Sequence, residues 1–110
     1  MSVERYLEDV RKHDAAAKEE VVAGIVRYLG IALRSRDASL VSGTDPEELA
    51  RVREKLLKKK FALAEPDSTL DAAIASVMER MKADRTKERV TVYYLLAAHF
   101  GKTDLFVKRG

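Results

Sequence analysis

The 110-residue chain has no cysteine, two histidines, two prolines and five glycines, and these shortages exclude whole classes of chemistry. Without a thiol there is no disulfide staple, thiolate nucleophile, iron–sulfur cluster or cysteine zinc site. A reducing compartment suits such a composition. The two histidines, His13 and His99, fall short of the ligand set of a histidine metal centre. No apolar run approaches the roughly 20 residues that span a bilayer. The opening stretch Met1-Ser2-Val3-Glu4-Arg5-Tyr6 lacks the basic flank and apolar core of a secretory signal. A cytoplasmic location with no membrane partner is therefore expected. No Gly-x-Ser-x-Gly elbow or glycine-rich phosphate loop is present. No cofactor, metal or catalytic residue is expected, and the balance favours a protein that is not an enzyme.

What is present is charge and helical punctuation. Charged residues make up 35% of the chain, yet the net charge is only +3, so the basic character is a small excess over many acids. The length suits one domain spanning residues 1–110 with a single core. Ser2 can cap a first helix whose apolar face is Tyr6, Leu7 and Val10. Val21, Val22, Ile25, Val26 and Leu29 form the stripe of a second helix. Gly24 inside it weakens the helix unless a neighbour crosses closely. Leu29-Gly30-Ile31 reads as a glycine stop, with Ile31 folding back onto Val26. Asp45-Pro46-Glu47-Glu48 is a capping signal with proline at the first helical position. Glu47–Arg51 and Glu54–Lys58 are spaced as i,i+4 pairs in the helix that follows. The cleanest amphipathic pattern is Leu70, Ala73, Ile74, Val77, Met78 and Met81. The segment from Val90 to Phe100 is apolar around most of its circumference, which predicts the central helix. Leu105-Phe106-Val107 should pack back onto the body.

The fold expected from these signals is all-α: about five helices around one core, with no sheet. The helices are placed at Ser2–Lys12, Ala15–Leu29, Pro46–Lys60, Ser68–Lys82 and Val90–Phe100. The expected core draws on Val22, Ile25, Leu29, Leu49, Val52, Leu56, Leu70, Ile74, Val77, Met81, Tyr93, Leu96 and Phe100.

The string Leu29-Gly30-Ile31-Ala32-Leu33-Arg34-Ser35-Arg36-Asp37-Ala38-Ser39-Leu40-Val41-Ser42 resembles a small bacterial family known only as a domain of unknown function. Leu70-Asp71-Ala72-Ala73-Ile74, Met81-Lys82-Ala83-Asp84-Arg85 and Arg89-Val90-Thr91-Val92-Tyr93-Tyr94-Leu95-Leu96 support the likeness, as does Phe100-Gly101-Lys102. It runs from about Tyr6 to Phe106. It implies a compact helical protein and carries over no functional residue.

Three places could hold a site. Arg34 and Arg36, with the hydroxyls of Ser35 and Ser39, could take a small anion; Asp37 capping a turn and pairing with one arginine is the structural alternative. Arg51, Lys55, Lys58 and Lys59, within Arg51–Lys60, could contact phosphates together with Arg85–Arg89. The acids at Asp45, Glu47 and Glu48, and the scarcity of aromatics for base stacking, favour a solvated face instead. His13-Asp14 makes up no complete metal site and reads as a solvated loop pair. The leading expectation is a non-enzymatic helical protein acting through a protein partner or self-association. Weak nucleic-acid or phosphate binding, and an anionic-ligand binder or enzyme centred on Arg34–Ser42, are the alternatives. Nucleic acid is not the expected partner.

Overall fold

The computed structural model describes residues 3–107. In chain order its helices are α1 (Val3–Arg11), α2 (Glu19–Leu29), α3 (Pro46–Arg51), α4 (Asp67–Arg80) and α5 (Arg89–Phe100). Short 3₁₀ turns follow α2 at Gly30–Arg34 and α5 at Thr103–Phe106. The proposed Ser2 cap lies outside the described residues. The second helix begins later than its stripe suggested, because Asp14 first accepts the amide of Ala16 on its side chain and that of Ala17 on its carbonyl, forming a separate turn.

Both glycines end their helices, Gly101 (φ +67°) closing α5 in the left-handed conformation and Gly30 (φ +48°) closing α2 outside it. Both conformations disfavour a side chain. Ile31 does not cover Val26 as the stop motif implied; it is 79% exposed. Asp45 caps α3 by accepting the Glu47 amide at 3.0 Å, with Pro46 in the first turn. Past Arg51 the same rod widens into a π-helix over Val52–Lys60. Its end is marked by the Phe61 amide donating five residues back to the Leu56 carbonyl, at 2.9 Å. The widening turns Val52, Leu56, Leu57 and Phe61 inward together.

α5 is the central helix. Every residue from Val90 to Ala97 is buried, and α1, α2 and α4 all pack against it. Of the expected core, Leu29, Leu49 and Phe100 lie at its margin, half-buried; the others are buried. Gly24 does admit a close neighbour: a Cβ there would lie 1.8 Å from the Phe106 carbonyl oxygen. Phe106 itself is buried, edge-on to Tyr28 at 5.6 Å and to Phe61 at 5.9 Å.

The expectation of no sheet is corrected. Leu40–Val41 (β1) pairs antiparallel with Lys87–Glu88 (β2), Leu40 opposite Glu88 and Val41 opposite Lys87. The Arg89 amide extends the ribbon by donating to Ser39 at 2.8 Å. Two-residue strands are too short to show alternation, so no periodicity announces them.

Candidate functional site

The ribbon sends three consecutive side chains in different directions. Lys87 faces an open cleft, Glu88 meets Arg5 of α1 at 3.0 Å, and Arg89 reaches α3. Arg89 is the tie-point. Its guanidinium donates to the carbonyls of Ala38 (2.6 Å) and Leu40 (3.1 Å), to the Tyr93 hydroxyl (3.5 Å) and to Glu48 Oε1. Burial works against its charge, but the bonds to Tyr93 and Glu48 more than offset it and hold its pKa above the ordinary value. The other Glu48 oxygen accepts from Arg51, at 2.9 Å. Arg51 thus pairs three residues back, and not with Glu47 as the spacing suggested.

The cleft has a volume of about 830 Å³. One wall is the segment from β1 into α3, including Val41, Gly43, Thr44 and Leu49; the other is the Ala75, Met78, Glu79 and Lys82 face of α4. Arg85, Thr86 and Lys87 close a third side. Gly43 lies against the floor: a Cβ on it would stand 3.2 Å from the Met78 sulfur and 3.5 Å from the Lys87 stem.

A second polar cluster lies where α1 meets the α4–α5 connection. His13 Nε2 is 2.8 Å from Asp84 Oδ2, and each side chain is 11% exposed. His13 is therefore not the solvated loop residue expected from its neighbour Asp14. Lys12 bridges Asp9 (2.9 Å) and Asp84 (3.8 Å), while Thr91 donates to Asp9 and Arg80 to the His13 carbonyl. Burial pushes the Glu88 carboxyl above the ordinary range, and its Oε2 is buried without a hydrogen bond among the described residues. No group of three or more His, Asp or Glu side chains among the described residues is arranged to hold a metal. No described helix is long and apolar enough to cross a membrane.

The Arg34–Ser42 residues do not converge. Ser35 Oγ accepts the Ala38 amide at 3.3 Å and Ser39 Oγ donates to the Arg36 carbonyl at 2.8 Å, so both hydroxyls shape the turn. Arg34 lines a small hollow with Val26, Gly30, Ile31 and Leu33, whereas Arg36 lies on the Glu88 side, where its charge favours that carboxylate. Ser35, and not Asp37, caps the turn. Asp37 instead borders the main cleft.

Half of the basic run Arg51–Lys60 is ion-paired: Arg51, as above, together with Arg53 and Lys58. Arg53 pairs with Glu54 (2.8 Å), Asp71 (3.0 Å) and Asp67 (3.7 Å), and Lys58 pairs with Glu54 (2.9 Å) and Asp67 (2.7 Å). These contacts hold the Glu54 and Asp67 carboxyls below their ordinary pKa. Lys60 stacks over the Tyr28 ring at 4.9 Å. Lys55 and Lys59 are exposed, without an ion pair among the described residues. Sequence reasoning missed the cleft because its walls come from residues far apart in the chain.

A family model described as a protein of unknown function, DUF2853, matches residues 5–104. The chain belongs to the DUF2853 family. No curated protein matches it. The DUF2853 match spans all the cleft walls and both partners of the His13–Asp84 pair.

Proposed function

We propose that the protein acts by binding and not by catalysis, and that the cleft between the ribbon and α4 is its site. The cleft's size carries the reading: about 830 Å³ falls within the roughly 300–1,000 Å³ of ligand sites. Its lining also has the required mixture of apolar side chains, such as Val41, Leu49 and Met78, and polar ones, such as Ser42, Thr44 and Lys87. Glu48, the buried acid of the cleft, has both oxygens taken by arginines. His13 is engaged with Asp84 and lies outside the lining. These commitments favour structure over proton transfer. The charge pairing around Arg53 and Lys58 weighs against nucleic acid. The test is a fragment screen followed by amide and methyl NMR shifts. Responses should concentrate at residues 42–44, Met78, Thr86 and Lys87. Responses scattered over the surface, or gathered around Thr69, Ser76 and His99, overturn the assignment.

A second reading, self-association, draws on Tyr28 (45% exposed), Ile31 (79%) and Leu105 (45%). Sedimentation over a hundredfold concentration range tests it. A constant monomer mass, or an association unaffected by Ile31→Glu, removes this surface.

A further inference from the structure

We propose that the cleft takes a short zwitterionic peptide, with its α-ammonium group at Asp37 and its carboxylate at Arg85 and Lys87. The proposal rests on the cleft being the binding site. Its basis is the charge left over once the internal pairs are made. In the lining, Glu48 is matched by Arg51 and Arg89, and Glu79 by Lys82 at 3.0 Å. Among the described residues no ion pair engages Asp37, Asp45, Arg85 or Lys87. Asp45 spends one oxygen on the α3 cap, and the Lys87 ammonium donates to the Asp84 carbonyl at 3.2 Å. Among the described residues Asp37 is the lining acid with neither an ion pair nor a side-chain hydrogen bond, and Arg85 and Lys87 are cations without an ion pair.

The topology separates these charges. Asp37 precedes β1 and Arg85 precedes β2, and the two strands run antiparallel. The two residues therefore flank opposite ends of the ribbon. The same lining carries the apolar side chains of Val41, Leu49 and Met78 and the hydroxyls of Ser42, Thr44 and Thr86. An inorganic anion would use only the cationic end and leave most of the volume empty. A wholly apolar ligand would strip water from the rim charges and return nothing. A dipolar chain with an apolar middle matches each part. Strand addition is not the mode: the Leu40 amide already donates to Asp37 (3.3 Å), and its carbonyl accepts from Arg89 (3.1 Å). Recognition falls to side chains, and because Asp37 and Arg85 are exposed each should alter affinity about two- to fivefold.

The experiment is an NMR titration of the full chain with Ala-Leu-Ala in four forms: free termini, N-acetylated, C-amidated and doubly blocked. The free form should shift residues 42–44 and Thr86 and bind best, each block weakening it about two- to fivefold. Arg85→Gln should narrow the difference between acid and amide, Lys87 still meeting the carboxylate, while preserving the effect of acetylation. Asp37→Asn should do the reverse. Both positions are exposed, and an unchanged spectrum away from the cleft confirms the fold of each variant. Equal cleft affinity for all four peptides overturns the charge assignment and leaves the cleft as a site. Silence toward every peptide, while screening fragments still bind there, overturns the peptide proposal alone. Silence toward peptides and fragments alike overturns the proposed function as well.

Discussion

Arg89, in the first turn of α5, closes on Glu48 in α3 across 41 residues of sequence. The same guanidinium holds the carbonyls of Ala38 and Leu40, so one side chain joins the ribbon, α3 and the central helix. Removing one partner of a largely buried pair strands the other charge. Glu48→Ala should lower unfolding free energy by about 3 kcal/mol. Arg89→Lys, which keeps the charge and loses the planar fork, should also destabilise. Urea denaturation measures both, and losses below about 0.5 kcal/mol, typical of ordinary surface positions, would show that the tie is dispensable.

Gly24 sets two local rules against each other. In an isolated helix Gly→Ala gains up to about 1 kcal/mol. Here the new Cβ would meet the Phe106 carbonyl at 1.8 Å, forcing the C-terminal turn away from α2. Gly24→Ala should therefore destabilise, by about 1–3 kcal/mol on the scale of overpacked sites. A rise in melting temperature would show that the turn yields freely.

Ile74 and Ile31 are the same residue type in opposite settings. Ile74 is 2% exposed and Ile31 is 79% exposed. Ile74→Ala should cost about 2–5 kcal/mol, and Ile31→Ala less than about 0.5 kcal/mol in the monomer. Thermal and urea unfolding of the two variants, measured together at low concentration, checks the contrast.

The turn before β1 distributes its stability unevenly. Ser35→Ala removes the acceptor of the Ala38 amide and should cost about 0.5–2 kcal/mol, the range of a lost cap. Arg34→Ala, Arg36→Ala and Asp37→Ala should each stay within about 0.5 kcal/mol of the parent. A large loss for Asp37→Ala would return that residue to a structural role and take it out of the cleft.

Glu88 carries a pH signature opposite to that of Glu54 and Asp67. Burial raises its pKa in the folded chain, so the native state holds the proton more tightly than the unfolded state does. Its contribution to stability is full below the ordinary carboxylate pKa and is lost as pH rises through the elevated value. Glu88→Gln keeps an acceptor for Arg5 and removes the titration. The variant should gain on the parent as pH goes from about 4 to about 7, the span above the ordinary carboxylate pKa. A gap between the two that is constant, or that moves the other way, would contradict the raised pKa.

Much of the helical framework is legible in the sequence. The Asp45-Pro46 start, the Gly30 and Gly101 stops and the Leu70–Met81 stripe act through neighbours a few residues away, and such effects survive in almost any tertiary setting. The apolar circumference of Val90–Phe100 likewise marks the central helix, because only burial on several sides accommodates it. The tertiary structure alone decided the rest. The ribbon, the Arg89–Glu48 tie, the His13–Asp84 pair and the cleft all join segments dozens of residues apart, where periodicity carries no information. It also decided the fate of the arginines: Arg34 and Arg36, close neighbours in the chain, face different surfaces, while Arg89 turns inward. A charged side chain is assigned by whichever partner the folded chain brings within hydrogen-bond reach, and that proximity is a property of packing, not of local order.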